Sequence, residues 1–480
     1  MTGYCSKAVG VVAGIIMLVA IQEKVCAQGY SLQALTDSAA HHLPAILQKQ
    51  ALVNSAQANI TDVRHAALPS LKLQDQVILS TANGAAGTYF PGAISTSGAI
   101  RNANIYQPAT GNIGMVYGEY ELLNFGLNKA RVANATVNRD LRSSDLSREI
   151  YLTRLQVGKL YFTMLRNLYQ LGVDQQNISR YEAIYNVIQA ITKSGIRAGV
   201  DSSLAGAELS RSQISYNQRV GEIRQLQQQL SFLTGIDSIS IDTSEQRYAH
   251  LMKKDSLTMD LSGKQYSLQA DTAWGSLADT INNPLVDYYR HQREVYTATA
   301  NLIKKSYLPK VLLAGGFWAR GSSVDYDNDY NYKALSTGLG YQRVNYGVGL
   351  TVVYNLFDGV HRKDKLSVNR YNIQASDYGL QQQQQALKTA LLQAQTAIDV
   401  DEQNLHQLPV QLQAAEDAYS QKMAQYRAGI INLVDLTNSS FVLYRAQTDY
   451  VETLNDWLQA NLDKAAATGN LDQFIQSVKN

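Results

Sequence analysis

Cysteine is almost missing from this chain: among 480 residues only Cys5 and Cys26 occur. Both fall in an N-terminal stretch built like a secretory leader. Lys7 stands in a short basic region, Ala8 to Ala20 is an apolar run, and Val25-Cys26-Ala27 supplies the small residues of a cleavage site. Residues 1–27 are therefore expected to be a signal peptide, with the exported chain beginning near Gln28. Such a chain would have no thiol, no disulfide and no cysteine-bound metal. Acylation of Cys26 as a lipoprotein anchor is an alternative, against which Glu23-Lys24-Val25 lacks the usual Leu-x-small pattern.

Long apolar runs are also missing. Beyond the leader no stretch is long enough to cross a bilayer as a helix. Membrane residence would then require a closed barrel, the other spanning structure that satisfies every backbone group. Phenylalanine is scarce, 8 residues against 30 tyrosines, and charged residues are 17% of the chain. That preference for aromatics with a polar tip suits surfaces at a water boundary. The formal charge of +2 and the lack of basic runs interleaved with aromatics exclude a nucleic-acid partner.

Catalytic and metal motifs are lacking too. His41, His42, His65, His250, His291, His361 and His406 show no His-Glu-x-x-His spacing, and neither Gly-x-Ser-x-Gly nor a phosphate-binding loop occurs. No cofactor is expected, and the chain does not read as an enzyme. Asp325, Asp327 and Asp329 resemble the start of a calcium loop, but Tyr330 replaces the required glycine and no closing glutamate follows. They read as a solvated external loop.

What is present is a duplication. Pro44 and Pro69 are 25 residues apart, as are Pro284 and Pro309. Apolar residues recur at helical spacing within each interval, and proline then ends the helix. Short β-prone segments follow, Ser70 to Ser80 and Ile113 to Leu123 in one half, Lys310 to Ala319 and Tyr346 to Leu356 in the other. Each is close to the ~9–11 residues of a tilted transmembrane strand. Polar loops, 81–112 and 321–345, join the strands of each pair. Phe90, Phe317, Trp318 and tyrosines gather near the strand ends, as an interfacial girdle requires.

Asn124-Phe125-Gly126 and Phe357-Asp358-Gly359 close the strand pairs, the glycines allowing the change of direction. Helical periodicity then runs from Lys129 to Lys193 and from Asp364 to Tyr426. At 1.5 Å per residue each rod is roughly 100 Å long and must pack as coiled coil. Pro409 predicts a kink in the second. The rods turn at Ile196-Arg197-Ala198-Gly199 and Tyr426-Arg427-Ala428-Gly429, and return helices end near Gly235 and Gly469. The expected organisation is a leader (1–27), a first repeat (28–235), an inter-repeat segment with brief β character (236–273) and a second repeat (274–480).

Four strands cannot close a barrel, and open hairpins in lipid would leave backbone groups unpaired. Three pooled copies supply twelve strands and bring the long helices into one cylinder. The predicted fold is thus mainly α with a transmembrane β-barrel portion, a homotrimer with a coiled-coil tunnel. The carriers Leu68-Pro69, Leu308-Pro309, Leu356-Phe357-Asp358-Gly359 and Tyr426-Arg427-Ala428-Gly429 leading to Leu433-Val434-Asp435-Leu436 make the chain resemble the TolC-like outer-membrane factors of efflux pumps and type I secretion systems. The resemblance implies an outer-membrane channel with its tunnel in the periplasm, docked to a periplasmic adaptor and an inner-membrane transporter. A soluble periplasmic coiled-coil adaptor or scaffold is the alternative, using the rods without a barrel.

The same resemblance singles out gate residues at the helical tip. Asp435 matches the first of the family's constricting aspartates, Asn438 stands where a second often occurs, and Ile431 where some members carry a latching arginine. Asp201 is the nearest acid at the other tip. Threefold symmetry would gather three Asp435 carboxylates near one axis and favour cations. A solvated carboxylate at a helix N-terminus is the plainer reading of the same residue. Gly199 and Gly429 read as helix C-caps, and with Tyr426 and Arg427 they are also adaptor-contact candidates.

Overall fold

The computed structural model describes residues 29–81, 83, 103–193, 199–241, 283–324 and 334–479. The leader, most of the inter-repeat segment, Ile196-Arg197-Ala198 and the three loop aspartates at 325, 327 and 329 lie outside the described residues. In chain order the elements are α1 (Leu32–His42), α2 (Pro44–His65), β1 (Ser70–Ser80), β2 (Ala109–Leu123), α3 (Leu127–Lys193) and α4 (Gly199–Thr234). After these come α5 (Pro284–Ser306), β3 (Lys310–Ser322), a 3-10 segment (Leu335–Leu339), β4 (Arg343–Val353), α6 (Asp358–Arg427), α7 (Leu433–Thr468) and α8 (Leu471–Lys479).

The duplication is explicit. α2 and α5 run for 22 and 23 residues, α3 and α6 for 67 and 70, and both return helices, α4 and α7, for 36. Pro44 and Pro284 open their helices at the position where a missing N–H costs nothing. Gly235 (φ 71°) and Gly469 (φ 84°) end the return helices in the left-handed conformation that glycine alone adopts without a Cβ penalty. α6 continues through Pro409, which removes one amide from its ladder.

Several boundaries differ from expectation. β2 begins at Ala109 rather than Ile113, and β3 extends to Ser322. β4 spans 343–353, not 346–356, because it pairs residue for residue with β3 from Arg320 opposite Arg343 to Lys310 opposite Val353. The loop between them is not simply polar coil, since its second part folds into the 3-10 segment. The two strand-to-helix turns also differ. Phe125 (φ 47°) and Gly126 (φ 85°) make the first, whereas Gly359 is helical and has no positive φ.

The chain divides into two compact units, each drawing on both halves: residues 1–52, 143–290 and 378–480 in one, 53–142 and 291–377 in the other. The second unit carries one antiparallel sheet in the order β1-β2-β3-β4, with β1 and β4 as its edges. Register places alternate residues on common faces. One face is apolar: Leu71, Leu73, Val77 and Leu79 of β1, then Leu313 and Phe317, then Val344, Tyr346, Val348, Leu350 and Val352 of β4. Opposite it lie Lys72, Gln74, Gln76, Glu119, Glu121, Arg320, Arg343 and Asn345. The β4 apolar row is 61–85% exposed, with no cover among the described residues.

One carboxylate interrupts the apolar face. Asp75 lies opposite Gly114, and the Tyr341 hydroxyl donates to its Oδ1 at 3.0 Å. A Cβ at 114 would lie 2.8 Å from Tyr341 Cζ, so a larger residue there would push the tyrosine ring aside. The 3-10 segment is fixed on the same face, with Asn112 Nδ2 donating to the Leu339 carbonyl at 2.8 Å and the Thr110 hydroxyl donating to Leu335.

The first unit is helical. Its core joins Leu32 and Leu35 of α1, Tyr161 and Phe162 of α3, Leu458 and Leu462 of α7, and Phe474 of α8. Phe162 meets Tyr161 and Phe474 edge to face, at centroid distances of 5.6 and 6.1 Å. Arg154 ties both short helices to α3 through Asp37 (3.2 Å) and Asp472 (2.6 Å). Part of the inter-repeat segment enters this core: Ile239 and Ile241 are buried, and Ile241 forms a parallel bridge with Tyr30.

Candidate gate at the helical tip

Four helix ends meet in the first unit, and a small apolar cluster holds them. Tyr181, Ile184 and Ile188 come from α3, Ala205 from α4, Tyr426 from α6, and Leu433 and Leu436 from α7. Tyr426 is 3% exposed, so its ring serves packing at the tip and is not a free contact surface. Ile431 packs against the same cluster. Its methyl groups join α6 and α7 to the apolar core where a cation would have required solvent or an acid.

The turn from α6 to α7 is a Schellman motif. Gly429 (φ 75°) donates to the Tyr426 carbonyl at 3.0 Å, and Ile430 donates to Gln425 at 2.9 Å. Gly429 therefore is the helix C-cap glycine that the sequence suggests. Gly199 is not: it is the first residue of α4 and has no positive φ. Glycine there is not imposed by a left-handed backbone. Arg427, Ala428, Gly429 and Ile430 are all exposed.

Asn432 caps α7, its side chain accepting from the Asp435 N–H at 2.8 Å. Asp435 is thus the third residue of its helix, and Asp201 is the third residue of α4. Both occupy a first turn, where the macrodipole favours a carboxylate. Asp435 and Asn438 are exposed and three residues apart, and Val442 and Arg445 continue that open stripe of α7. Asp201 is half-buried.

Behind the tip lies a set of residues that motif reading misses. Asn167, Gln170, Asp174 and Asn177 follow one stripe of α3 and are only 2, 3, 1 and 7% exposed. An apolar seam would be expected there. Instead Asp174 receives the Tyr444 hydroxyl at 2.8 Å and Arg219 Nε at 3.4 Å, while Arg219 also donates to Asn167 at 2.9 Å. Gln170 bridges to Thr448 at 3.0 Å, and Asn177 to Ser212 at 3.1 Å. These bonds join α3 to α4 and α7. Burial, followed by the bond to Asp174, raises the Tyr444 hydroxyl above the usual phenol value. Their signal in the sequence is polar residues at helical spacing within a rod that must be packed.

A second charge feature lies between α6 and α7. Burial and then Asp456 push the Asp401 carboxyl up to about 6. A carboxyl with a raised folded value stabilises the fold while protonated and loses that contribution as pH rises from about 4 through 6. Asp401→Asn is therefore expected to raise the melting temperature at pH 7.5 by a few degrees and to flatten its dependence between pH 4 and 6, a smaller gain than full burial would bring because the group is part-solvated. A melting temperature that still falls steeply over that interval in the variant would remove Asp401 as its source.

A family model described as outer membrane efflux protein matches residues 35–236 and 280–470, most of the chain. The chain belongs to the outer membrane efflux protein family. The fold agrees with this membership. The Campylobacter jejuni CmeC outer membrane channel superposes with a TM-score of 0.69 at 12% identity, over 94% of this chain and 89% of that one. The Vibrio cholerae outer membrane protein VceC gives 0.68 at 13% identity, over 91% and 96%. The open-state Neisseria gonorrhoeae MtrE outer membrane channel gives 0.67 at 15%, over 92% and 89%. No curated protein matches the chain. Like other members of this outer-membrane efflux channel family, the protein is assigned to transport, and the tip described above is the end of its long helices.

Proposed function

We propose that this efflux-family protein is the outer-membrane subunit of a tripartite pump or type I secretion system, a passive conduit formed by three copies. The observation that carries this reading is the sheet: two edges, β1 and β4, without a partner strand among the described residues, and an exposed apolar face backed by one that carries most of the sheet's charges. Open edges in lipid cost several kcal/mol per unpaired group, and three sheets of four strands close into twelve. The polar face then lines water. The helices extend into the periplasm, and their exposed tip turn, Arg427 to Ile430, is offered to an adaptor that joins the channel to an inner-membrane transporter.

Asp435 is the gate candidate within that reading, with Asn438 one turn behind it. Asp201 is the matching acid on α4. Three symmetry-related Asp435 side chains would favour cations at the narrow end. The test is reconstitution: membrane-extracted protein should run as a heat-dissociable trimer on unheated gels and conduct in planar bilayers. Asp435→Ala should reduce cation selectivity and divalent block several-fold. Unchanged conductance, selectivity and block would remove the gate role. Release of the protein from membranes by salt or alkali alone would overturn the barrel.

A further inference from the structure

The apolar row of β4 does not stop with the strand. Past the last ladder pair, Tyr354 and Leu356 keep the same alternation at 51 and 83% exposure, and Phe357 follows at 73%. The first turns of α6 then carry Arg362, Lys363, Lys365 and Arg370, all exposed, with Asp364 the only acid between 361 and 370. None of these four cations forms an ion pair with a described residue. Near the same end of the sheet Arg131 and Lys310 lie 3.6 and 3.5 Å from Glu121. Lys304, near the end of α5, adds a further exposed charge at this end of the sheet, where Lys310 starts β3 opposite Val353.

The order along the chain is aliphatic row, then aromatic and apolar residues at the strand end, then unpaired cations. That is the order met on leaving a bilayer: hydrocarbon, glycerol boundary, phosphate. Four exposed cations with a single acid among them make the start of α6 a positive surface that an external anion would neutralise. The continuity of the exposed row with the proposed lipid face identifies that anion as a headgroup. We infer that Arg362, Lys363 and Lys365, with Tyr354, Leu356 and Phe357 beside them, form a binding surface for anionic phospholipid headgroups in the leaflet nearest the helices. This rests on the barrel reading above.

The test uses the full-length protein in detergent, titrated with phosphatidylglycerol or phosphatidylcholine of matched chains, with retained lipid and melting temperature as readouts. Wild type should retain phosphatidylglycerol ~10-fold better than phosphatidylcholine, and the preference should fall below ~2-fold when Arg362→Gln, Lys363→Gln and Lys365→Gln are combined. A control pair in the other unit, Lys388→Gln with Arg445→Gln, should leave it intact. If the triple variant does not fold, raising salt on wild type decides instead: the preference should collapse by ~0.5 M, where the Debye length is only about 4–5 Å. Equal retention of both lipids by wild type, or a preference that survives the triple variant or high salt, overturns the headgroup surface while leaving the barrel. Failure of either lipid to bind or stabilise overturns the barrel reading, and this surface with it.

Discussion

Asp174→Ala is expected to lower stability by about 3–5 kcal/mol, the cost of breaking a buried ion pair by removing one partner. Asp174 is 1% exposed and accepts from Tyr444 and Arg219, so alanine would leave a guanidinium and a phenol facing each other without the carboxylate. Thermal loss of the helical signal measures it. Replacing the ion pair by apolar side chains, Asp174→Leu with Arg219→Met, should recover much of the loss, because no charge is then left buried without its partner. A melting temperature for Asp174→Ala within a degree of wild type would show that the bonds behind the tip carry little energy. The expected sensitivity has a functional side. Polar pairs in place of an apolar seam set the register of packed helices, and they have fewer alternative partners when the helices slide.

Tyr341→Phe is the second change with a large expected effect, a lowered melting temperature together with loosening of the 3-10 segment. It removes the O–H that reaches Asp75 at 3.0 Å and leaves a carboxylate on an otherwise apolar face. Loss of the bond should also free residues 334–342, so a protease should cut there sooner than in wild type. The decisive comparison is a double-mutant cycle: in an Asp75→Leu background Tyr341→Phe should cost far less, since no acceptor remains. Equal losses in both backgrounds would show that the hydroxyl acts through a partner other than Asp75.

The architecture was legible because it is written in intervals and periods. The twin prolines, β1 at its observed limits, the paired long helices, and the return helices closing at Gly235 and Gly469 all follow from local rules of helix entry, helix exit and strand length. These rules act within a few residues of the chain, so a sequence carries them by itself. Strand ends were less secure. β4 slid by three residues relative to expectation because its partner, β3, decides which of its backbone groups are paired.

The candidate residues keep local places that the sequence indicates, but their packing does not follow from it. Gly429 caps α6 and Asp435 lies in the first turn of α7, while the burial of Tyr426 and the partial burial of Ile431 depend on α3 residues some 240 positions earlier in the chain. Gly199 shows the converse, a glycine in a matching tetrapeptide that is helical and has no positive φ. Nor does the stripe Asn167, Gln170, Asp174, Asn177 announce that it is buried, because periodicity says which side chains share a face and not what that face meets. The sequence by itself determined the repeat, the lengths of its elements and the family; only the tertiary structure decided which polar residues are enclosed and which apolar ones stay open. Enclosure depends on contacts between segments far apart in the chain, and no local period records them.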